Sequence, residues 1–192
     1  MRVSLAVAVV LLSSSCRNLE LPRSPGPGSL SGRVVVAQPG RTDRVPVAGA
    51  EVILLGSGLS TSSDSSGAFL LTGIAESAGR VLIRLDSDRN GTFDKQRILS
   101  LEALAAGPGK AIALGDVLLS DNARLEGKVL RGDLSIGVGH AGSLAFLPEG
   151  PFSALTADDG SFVFNDLPEG TISVSFFRAG YRAQELGEIQ LC

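Results

Sequence analysis

The chain has 192 residues, long enough for one large domain or two small ones. Aromatic residues make up only 5% of it, tryptophan is absent and there are 24 glycines, a composition that favours short strands and tight turns over helices. The formal net charge is -3 and no block of lysine and arginine accompanies it, so nucleic-acid binding has no support in the sequence.

The first sixteen residues, MRVSLAVAVVLLSSSC, are organised like a signal peptide. The apolar run that follows Arg2 is too short for a bilayer-spanning helix but is typical of an h-region. The small residues before Cys16 resemble the lipobox of bacterial lipoproteins. That family loses the peptide before the cysteine and carries lipid on its thiol. The resemblance implies that residues 1–15 are a signal peptide, that Cys16 is lipidated, and that the protein is anchored in the bacterial envelope, with the outer membrane as the expected location.

A second interpretation stays open, because Leu12 stands one place further from the cysteine than in the usual lipobox and Ser13 takes its position. Cleavage by the ordinary signal peptidase near Ser15 would give a soluble secreted protein. If Cys16 carries lipid, Cys192 is left without a disulfide partner, since the chain has two cysteines. Without the lipid, a bridge joining the two ends is conceivable.

Residues 16–29 combine proline, glycine and serine without apolar periodicity, which predicts a flexible tether. After the tether the chain repeats itself, with one copy in residues 30–119 and a second in 124–191. The matched positions are Gly32 with Gly127, Gly67 with Gly160, Phe69 with Phe162, Ile74 with Leu167, and Gly115 with Gly187.

Each copy is a series of short runs in which apolar and polar residues alternate. Val81, Ile83 and Leu85 are predicted to face a core, while Arg80 and Arg84 between them are predicted to face out. The segments SDSSGAF and TADDGSF place Asp, Ser and Gly where a hairpin turn needs them. The sequence therefore predicts an all-β protein built from two small antiparallel β-sandwiches in tandem.

The motifs SGRV, VAGAEV and DSSGAFLLTGI of the first copy resemble the carboxypeptidase regulatory-like domain family. The second copy carries EGKV, DDGSFVFNDLPEG and RAGY in the corresponding places, but has HAGSLAF where the family has GAxV. The resemblance implies prealbumin-like, seven-stranded sandwiches, which are classed near the starch-binding-like or carbohydrate-binding-like folds. It also implies no catalysis, because such domains usually accompany an enzyme or a transporter.

The first copy contains an insertion at residues 86–106, which opens with DSDRNGTFD. Oxygen-bearing residues at alternate positions, with a glycine at the sixth, are how a calcium loop surrounds its cation. The predicted calcium ligands are the side chains of Asp86, Asp88, Asn90 and Asp94 and the backbone carbonyl of Thr92.

The predicted ligand set is incomplete, because Arg97 stands at the twelfth position, where an EF-hand has a bidentate glutamate. Glu102 would have to fold back to complete it. The alternative is a solvated turn rich in Asp and Asn, for which the same residues are equally suitable. Apart from calcium, the sequence suggests no cofactor.

Candidate catalytic residues are few. His140 is the one histidine, and a serine nucleophile would lack a base, so His140 is interpreted as a polar residue entering a strand. Asp158 and Asp159 are adjacent, which does not suit a pair of glycosidase carboxylates, and they fall in a predicted turn. The protein is predicted not to be an enzyme.

The favoured function is a non-enzymatic, lipid-anchored binding or structural module of the envelope. It would meet the membrane through its lipid and envelope proteins or glycans through its loops and strand edges. The alternative is a carbohydrate-binding or enzyme- or transporter-accessory domain. That alternative requires exposed aromatic side chains on one face, for which Tyr181, Phe152 and Phe177 are the candidates.

Overall fold

The computed structural model shows an all-β protein, as predicted. Every element of regular secondary structure in the described residues is a β-strand. The predicted signal peptide, Cys16 and most of the predicted tether lie outside the part of the chain that it describes. Within that part, no helix is long and apolar enough to cross a membrane. The described residues are 26–38, 43–75, 79–135, 137–148 and 150–192.

In the described ranges the first sandwich has eight strands. They are β1 (Gly28–Ala37), β2 (Arg44–Pro46), β3 (Glu51–Leu54), β4 (Leu59–Ser62), β5 (Ala68–Ile74), β6 (Arg80–Leu85), β7 (Lys95–Ser100) and β8 (Ala111–Leu119). In one sheet β1 lies between β8 on one side and both β5 and β2 on the other, and the second sheet has the order β4-β3-β6-β7. Neighbouring strands are antiparallel except β1 and β8, which run parallel.

The second sandwich has six strands among the described residues. They are β9 (Ala123–Lys128), β10 (Leu144–Phe146), β11 (Ser153–Leu155), β12 (Ser161–Leu167), β13 (Gly170–Phe177) and β14 (Gln184–Leu191). One sheet consists of β9 and β12, and the other has the order β11-β10-β13-β14. The family resemblance implies seven strands in each copy. Among the described residues, the first copy has eight and the second has six.

The sequence repeat corresponds to a repeated packing arrangement. Gly32 of β1 lies opposite Phe69 of β5, and Gly127 of β9 lies opposite Phe162 of β12. In both pairs a Cβ on the glycine would come within 2.9 Å of the phenylalanine ring. The ring therefore covers the glycine backbone in each sandwich, which explains why the glycine and the phenylalanine recur together.

The predicted match between Gly115 and Gly187 holds for local shape but not for position in the fold. Each glycine lies at a shift of strand register, Gly115 in β8 and Gly187 in β14. However, β8 pairs in parallel with the first strand of its sandwich, whereas β14 pairs antiparallel with β13. The strand equivalent to β14 is β7, because each lies beside the corresponding central strand, β6 or β13. The second sandwich thus has no described counterpart of β8.

The insertion at 86–106 supplies β7, and β7 joins the two sandwiches. Ile98 is 5% exposed and packs in the core of the second sandwich, although it belongs to a strand of the first. Its N–H donates to the carbonyl of Glu169 (2.8 Å), and the N–H of Glu169 donates to the carbonyl of Gln96 (3.0 Å). The Gln96 amide also donates to the carbonyl of Asp166 (3.0 Å). Backbone and apolar contacts together therefore connect the two units.

The outer face of β6 is covered as well, which corrects the expectation that Arg80 faces solvent. Arg80 is 8% exposed, and its guanidinium lies 3.9 Å from the carboxylate of Glu188 in β14. Leu82, on the same face, is 2% exposed. The alternation along β6 correctly predicts its two faces. The second sandwich covers the face that carries the arginines, and the pattern of a single strand does not reveal that contact.

Replacing Ile98 with alanine should lower the free energy of unfolding by about 2–4 kcal/mol, because the change leaves a cavity in the second core. Leu70→Ala is the matched control: its side chain is 56% exposed, and its truncation should cost less than about 0.5 kcal/mol. Urea unfolding of both variants measures the difference. Equal costs would show that Ile98 is not held between the sandwiches.

Candidate functional site

The predicted calcium loop, residues 86–94, is a largely exposed connection between β6 and β7. The Asp86 carboxylate accepts hydrogen bonds from the N–H groups of Asn90 (3.1 Å) and Gly91 (2.8 Å). The Asp88 carboxylate accepts from the N–H of Asn90 (3.2 Å) and from its side-chain amide (2.8 Å). Side-chain-to-backbone bonds of this kind fold a polar turn by themselves.

The other two predicted side-chain ligands, Asn90 and Asp94, are held in the same way. The N–H of Thr92 donates to the side-chain oxygen of Asn90 (2.7 Å). The Asp94 carboxylate accepts hydrogen bonds from the N–H (2.8 Å) and the hydroxyl of Ser87. Partial burial opposes the ionisation of Asp94, but these two bonds outweigh it and hold its pKa below the usual value. Asp94 is therefore charged, and it closes the base of the loop.

The proposed completion of the ligand set by Glu102 does not fit this geometry. The six residues of β7 separate the loop from Glu102, a distance of about 20 Å along an extended strand. Arg97 instead donates to the carbonyl of Leu118 (3.0 Å). Among the described residues, no group of three or more His, Cys, Asp or Glu side chains is arranged to hold a metal. Calcium binding by the loop stays a prediction.

His140 is fully buried just before β10, where it organises a turn. Its Nδ1 accepts a hydrogen bond from the N–H of Arg131 (2.9 Å), so this nitrogen carries no proton. Its Nε2 lies 3.1 Å from the carbonyl of Ser135 and donates to it. Both ring nitrogens therefore bond to backbone groups of the protein, which gives the ring a structural role.

The adjacent carboxylates Asp158 and Asp159 lie in the turn between β11 and β12, as expected. Asp158 accepts a hydrogen bond from the N–H of Gly139 (2.9 Å). Asp159 accepts from the ammonium of Lys128 (2.6 Å) and the N–H of Ser161 (3.0 Å), and these bonds hold its pKa well below the usual range. The two carboxylates thus point to different partners and do not converge on a common space.

A polar cluster that the sequence did not indicate lies at the end of the second sandwich. The Arg131 guanidinium donates to the Asp133 carboxylate (2.8 Å) and to the Tyr181 hydroxyl (2.9 Å), which itself donates to Asp133 (2.7 Å). The bonds from Arg131 and then Tyr181 lower the pKa of Asp133 to about 2. The cluster fixes the RAGY corner against the segment that follows β9.

The aromatic side chains considered for glycan binding do not form one platform. Phe177 and Tyr181 are exposed and line the same cleft at the end of the second sandwich. Phe152 is half-buried and packs against the second core, beside Phe93 and away from that cleft. The Arg131 guanidinium lies 5.5 Å from the Tyr181 ring centroid, so part of the aromatic surface already has a cationic neighbour.

No family model matches the chain, and a search of curated proteins also finds no match. Among solved structures the chain is similar to the TIE protein of Bacillus anthracis, with 16% identity, a TM-score of 0.33, and coverage of 87% of this chain and 32% of that protein. It therefore spans about a third of the length of the TIE protein.

The chain is also similar to the shaft pilin SpaA of Lactobacillus rhamnosus GG. A double mutant of the pilin is 10% identical, with a TM-score of 0.30 and coverage of 87% of this chain and 94% of the pilin. For the pilin itself the values are 11%, 0.28, 87% and 93%. The tandem β-sandwich arrangement is observed directly in the structure, while membership of the carboxypeptidase regulatory-like family stays a prediction.

Proposed function

We propose that this chain is a non-catalytic module of the bacterial envelope, in which lipid on Cys16 holds two joined β-sandwiches at a membrane surface. The observation that supports this best is that the side chains considered for catalysis, His140, Asp158 and Asp159, hold the fold together. The ring of His140 is buried with both nitrogens bonded, and a general base must reach its substrate. Asp158 and Asp159 are likewise engaged in holding a turn.

The joint between the sandwiches supports a structural or binding role. The contacts of Gln96 and Ile98 with Glu169 limit hinge motion between the two units, which suits a module that presents surfaces in a fixed arrangement. Loops and strand edges on such a scaffold carry contacts with other molecules. The carboxypeptidase regulatory-like family, which the motifs resemble, consists of accessory domains and is consistent with this role.

Lipid attachment is tested by the distribution of the protein between membrane and soluble fractions. The wild-type chain should be found in the envelope membranes, and mass spectrometry should detect no peptide that contains Arg2. A Cys16→Ala variant should leave the membrane fraction, because the anchor is lost. Cys192→Ala is the matched control and should stay in the membranes. An unchanged distribution of Cys16→Ala would contradict the proposal.

We also propose that the loop at 86–94 takes up calcium when Asp86, Asp88 and Asp94 turn toward one another. Support comes from the donor chemistry, since each carboxylate offers more lone pairs than the loop hydrogen bonds use. With no bidentate glutamate at hand, affinity should be modest, about 10⁻⁴ to 10⁻³ M as in extracellular modules.

At that affinity, millimolar calcium should stabilise the protein by about 1 kcal/mol, because it binds only the folded state. Thermal melts of the full chain with calcium and with chelator measure this shift. An Asp86→Ala/Asp88→Ala variant should lose the shift, and Asp43→Ala, an exposed acidic residue outside the loop, should keep it. A wild-type midpoint that is the same in both conditions would leave the loop a solvated turn.

A carbohydrate-binding role is the second candidate, because Phe177 and Tyr181 are exposed beside one cleft. Retention of the protein on cell-wall glycans, lost in a Phe177→Ala variant, would favour it over a protein-contacting scaffold.

A further inference from the structure

The first strand of each sandwich has a different number of neighbours. In the first sandwich β1 is paired on both sides, and β8 covers one of them over almost its full length, from Ser29 opposite Ala111 to Val36 opposite Leu119. In the second, the equivalent strand β9 pairs with β12 alone among the described residues. We call the side of β9 that faces away from β12 the open edge.

The backbone groups that form the open edge can be identified. The N–H of Val129 donates to the carbonyl of Gly160 in the turn before β12 (2.9 Å). Because successive residues of a strand direct their N–H and C=O groups to opposite sides, the groups of Glu126 and Lys128 point away from β12. The matching residues of β1 are Ser31 and Arg33, whose pairing partners lie in β8. The open edge therefore presents the same row of N–H and C=O groups with which β1 pairs with β8.

Apolar side chains near the open edge are less covered than their counterparts in the first sandwich. Leu30 and Val34 of β1 are fully buried, whereas Leu125 and Val129 are only partly buried. The difference in exposure is large at the next residue, where Leu130 is 47% exposed and its counterpart in β1, Val35, is 1% exposed.

Leu186 in β14 shows the same lack of cover from the opposite sheet. It lies opposite Val174, and cross-strand partners project from the same face of a sheet. Val174 is fully buried in the second core, yet Leu186 is 53% exposed. A side chain on the core face of a sandwich is exposed to this degree when nothing fills the facing position. Leu186 is therefore another apolar side chain of the second sandwich that lies uncovered.

Two arginines at the end of the open edge favour an occupant with a negative charge there. In the first sandwich Arg33 and Asp116 of β8 form a two-bond ion pair, at 2.8 and 2.9 Å. The counterpart of Arg33 on the open edge is Lys128, whose ammonium is already paired with Asp159 (2.6 Å). Where an added parallel strand would end, Arg178 and Arg182 line the cleft. The charge of Arg33 does not prevent β8 from pairing with β1, so Lys128 is no barrier to a strand on β9.

We propose that the open edge binds an extended segment of another protein, added as a strand parallel to β9. The segment has apolar residues at alternate positions and a negative charge at its C-terminal end, near Arg178 and Arg182. Main-chain hydrogen bonds to Glu126 and Lys128 supply affinity, and contacts with the uncovered apolar side chains supply specificity. This inference gives a partner class to the proposed binding role.

The probe is a fluorescently labelled peptide with the sequence of residues 111–121, AIALGDVLLSD, titrated into the full chain. This peptide has the required alternation, and Asp121 places a negative charge at its C-terminal end. Fluorescence anisotropy should show saturable binding. A control peptide with serine in place of Val117 and Leu119 should bind at least tenfold more weakly, because those two side chains pack in the core of the first sandwich.

The protein variants are Glu126→Pro and its control Glu126→Ala. Proline removes an N–H from the open edge but none that pairs with β12, and edge strands tolerate it there. Glu126→Pro should weaken peptide binding at least tenfold, while Glu126→Ala should change it less than twofold. Amide exchange of Leu125 and Gly127 shows whether β9 still pairs with β12 in the proline variant.

Three results would overturn the proposal: no binding by the wild-type chain, equal binding of both peptides, or equal binding by the proline and alanine variants with β9 intact. A dimer in light scattering that Glu126→Pro dissociates would identify a second copy of this chain as the occupant and would also overturn it. None of these results bears on lipid attachment, which the fractionation of Cys16→Ala decides separately.

Discussion

Backbone pairing along the first strand of each sandwich determines the difference between the two halves of this protein. A strand with neighbours on both sides satisfies all its N–H and C=O groups and places a second row of side chains over the core. In the first sandwich β8 provides both, and Leu30 and Val34 are completely buried. In the second, β9 has one neighbour within the described part of the chain, and its inward side chains remain partly exposed.

The insertion at 86–106 explains how the two copies came to differ. It supplies β7, which takes the place beside β6, so the following strand crosses to the other sheet and pairs with β1. Without an insertion, the strand after β13 takes the place beside β13. The same insertion places Ile98 in the second core, so one segment both completes the first sandwich and attaches the second to it.

Local features of the fold could be predicted from the sequence because nearby residues determine them. The turns around Gly67 and Gly160 both require a positive φ (78° and 82°), and the sequence marks each with Asp or Ser before the glycine. The Gly–Phe pairs follow from the same repeat. These signals were enough to predict tandem β-sandwiches.

The pairing partner of each final strand could not be predicted, because LGDVLL and LGEIQL have the same local pattern. Which sheet accepts such a strand depends on whether β7 already occupies the place beside the central strand, and that contact is distant in sequence. The cluster of Arg131, Asp133 and Tyr181 was missed for a similar reason. Its members stand up to 50 residues apart, and only RAGY marked one end of it.

The distinction between a covered and an open first strand can be measured by amide hydrogen exchange of the full chain. The N–H groups of Ser31 and Arg33 should exchange slowly, because β8 pairs with that side of β1. Those of Glu126 and Lys128 should exchange fast, while Gly127 between them, bonded toward β12, exchanges slowly. Protection of Glu126 and Lys128 equal to that of Ser31 and Arg33 would show that the second sandwich is closed, and would contradict this account.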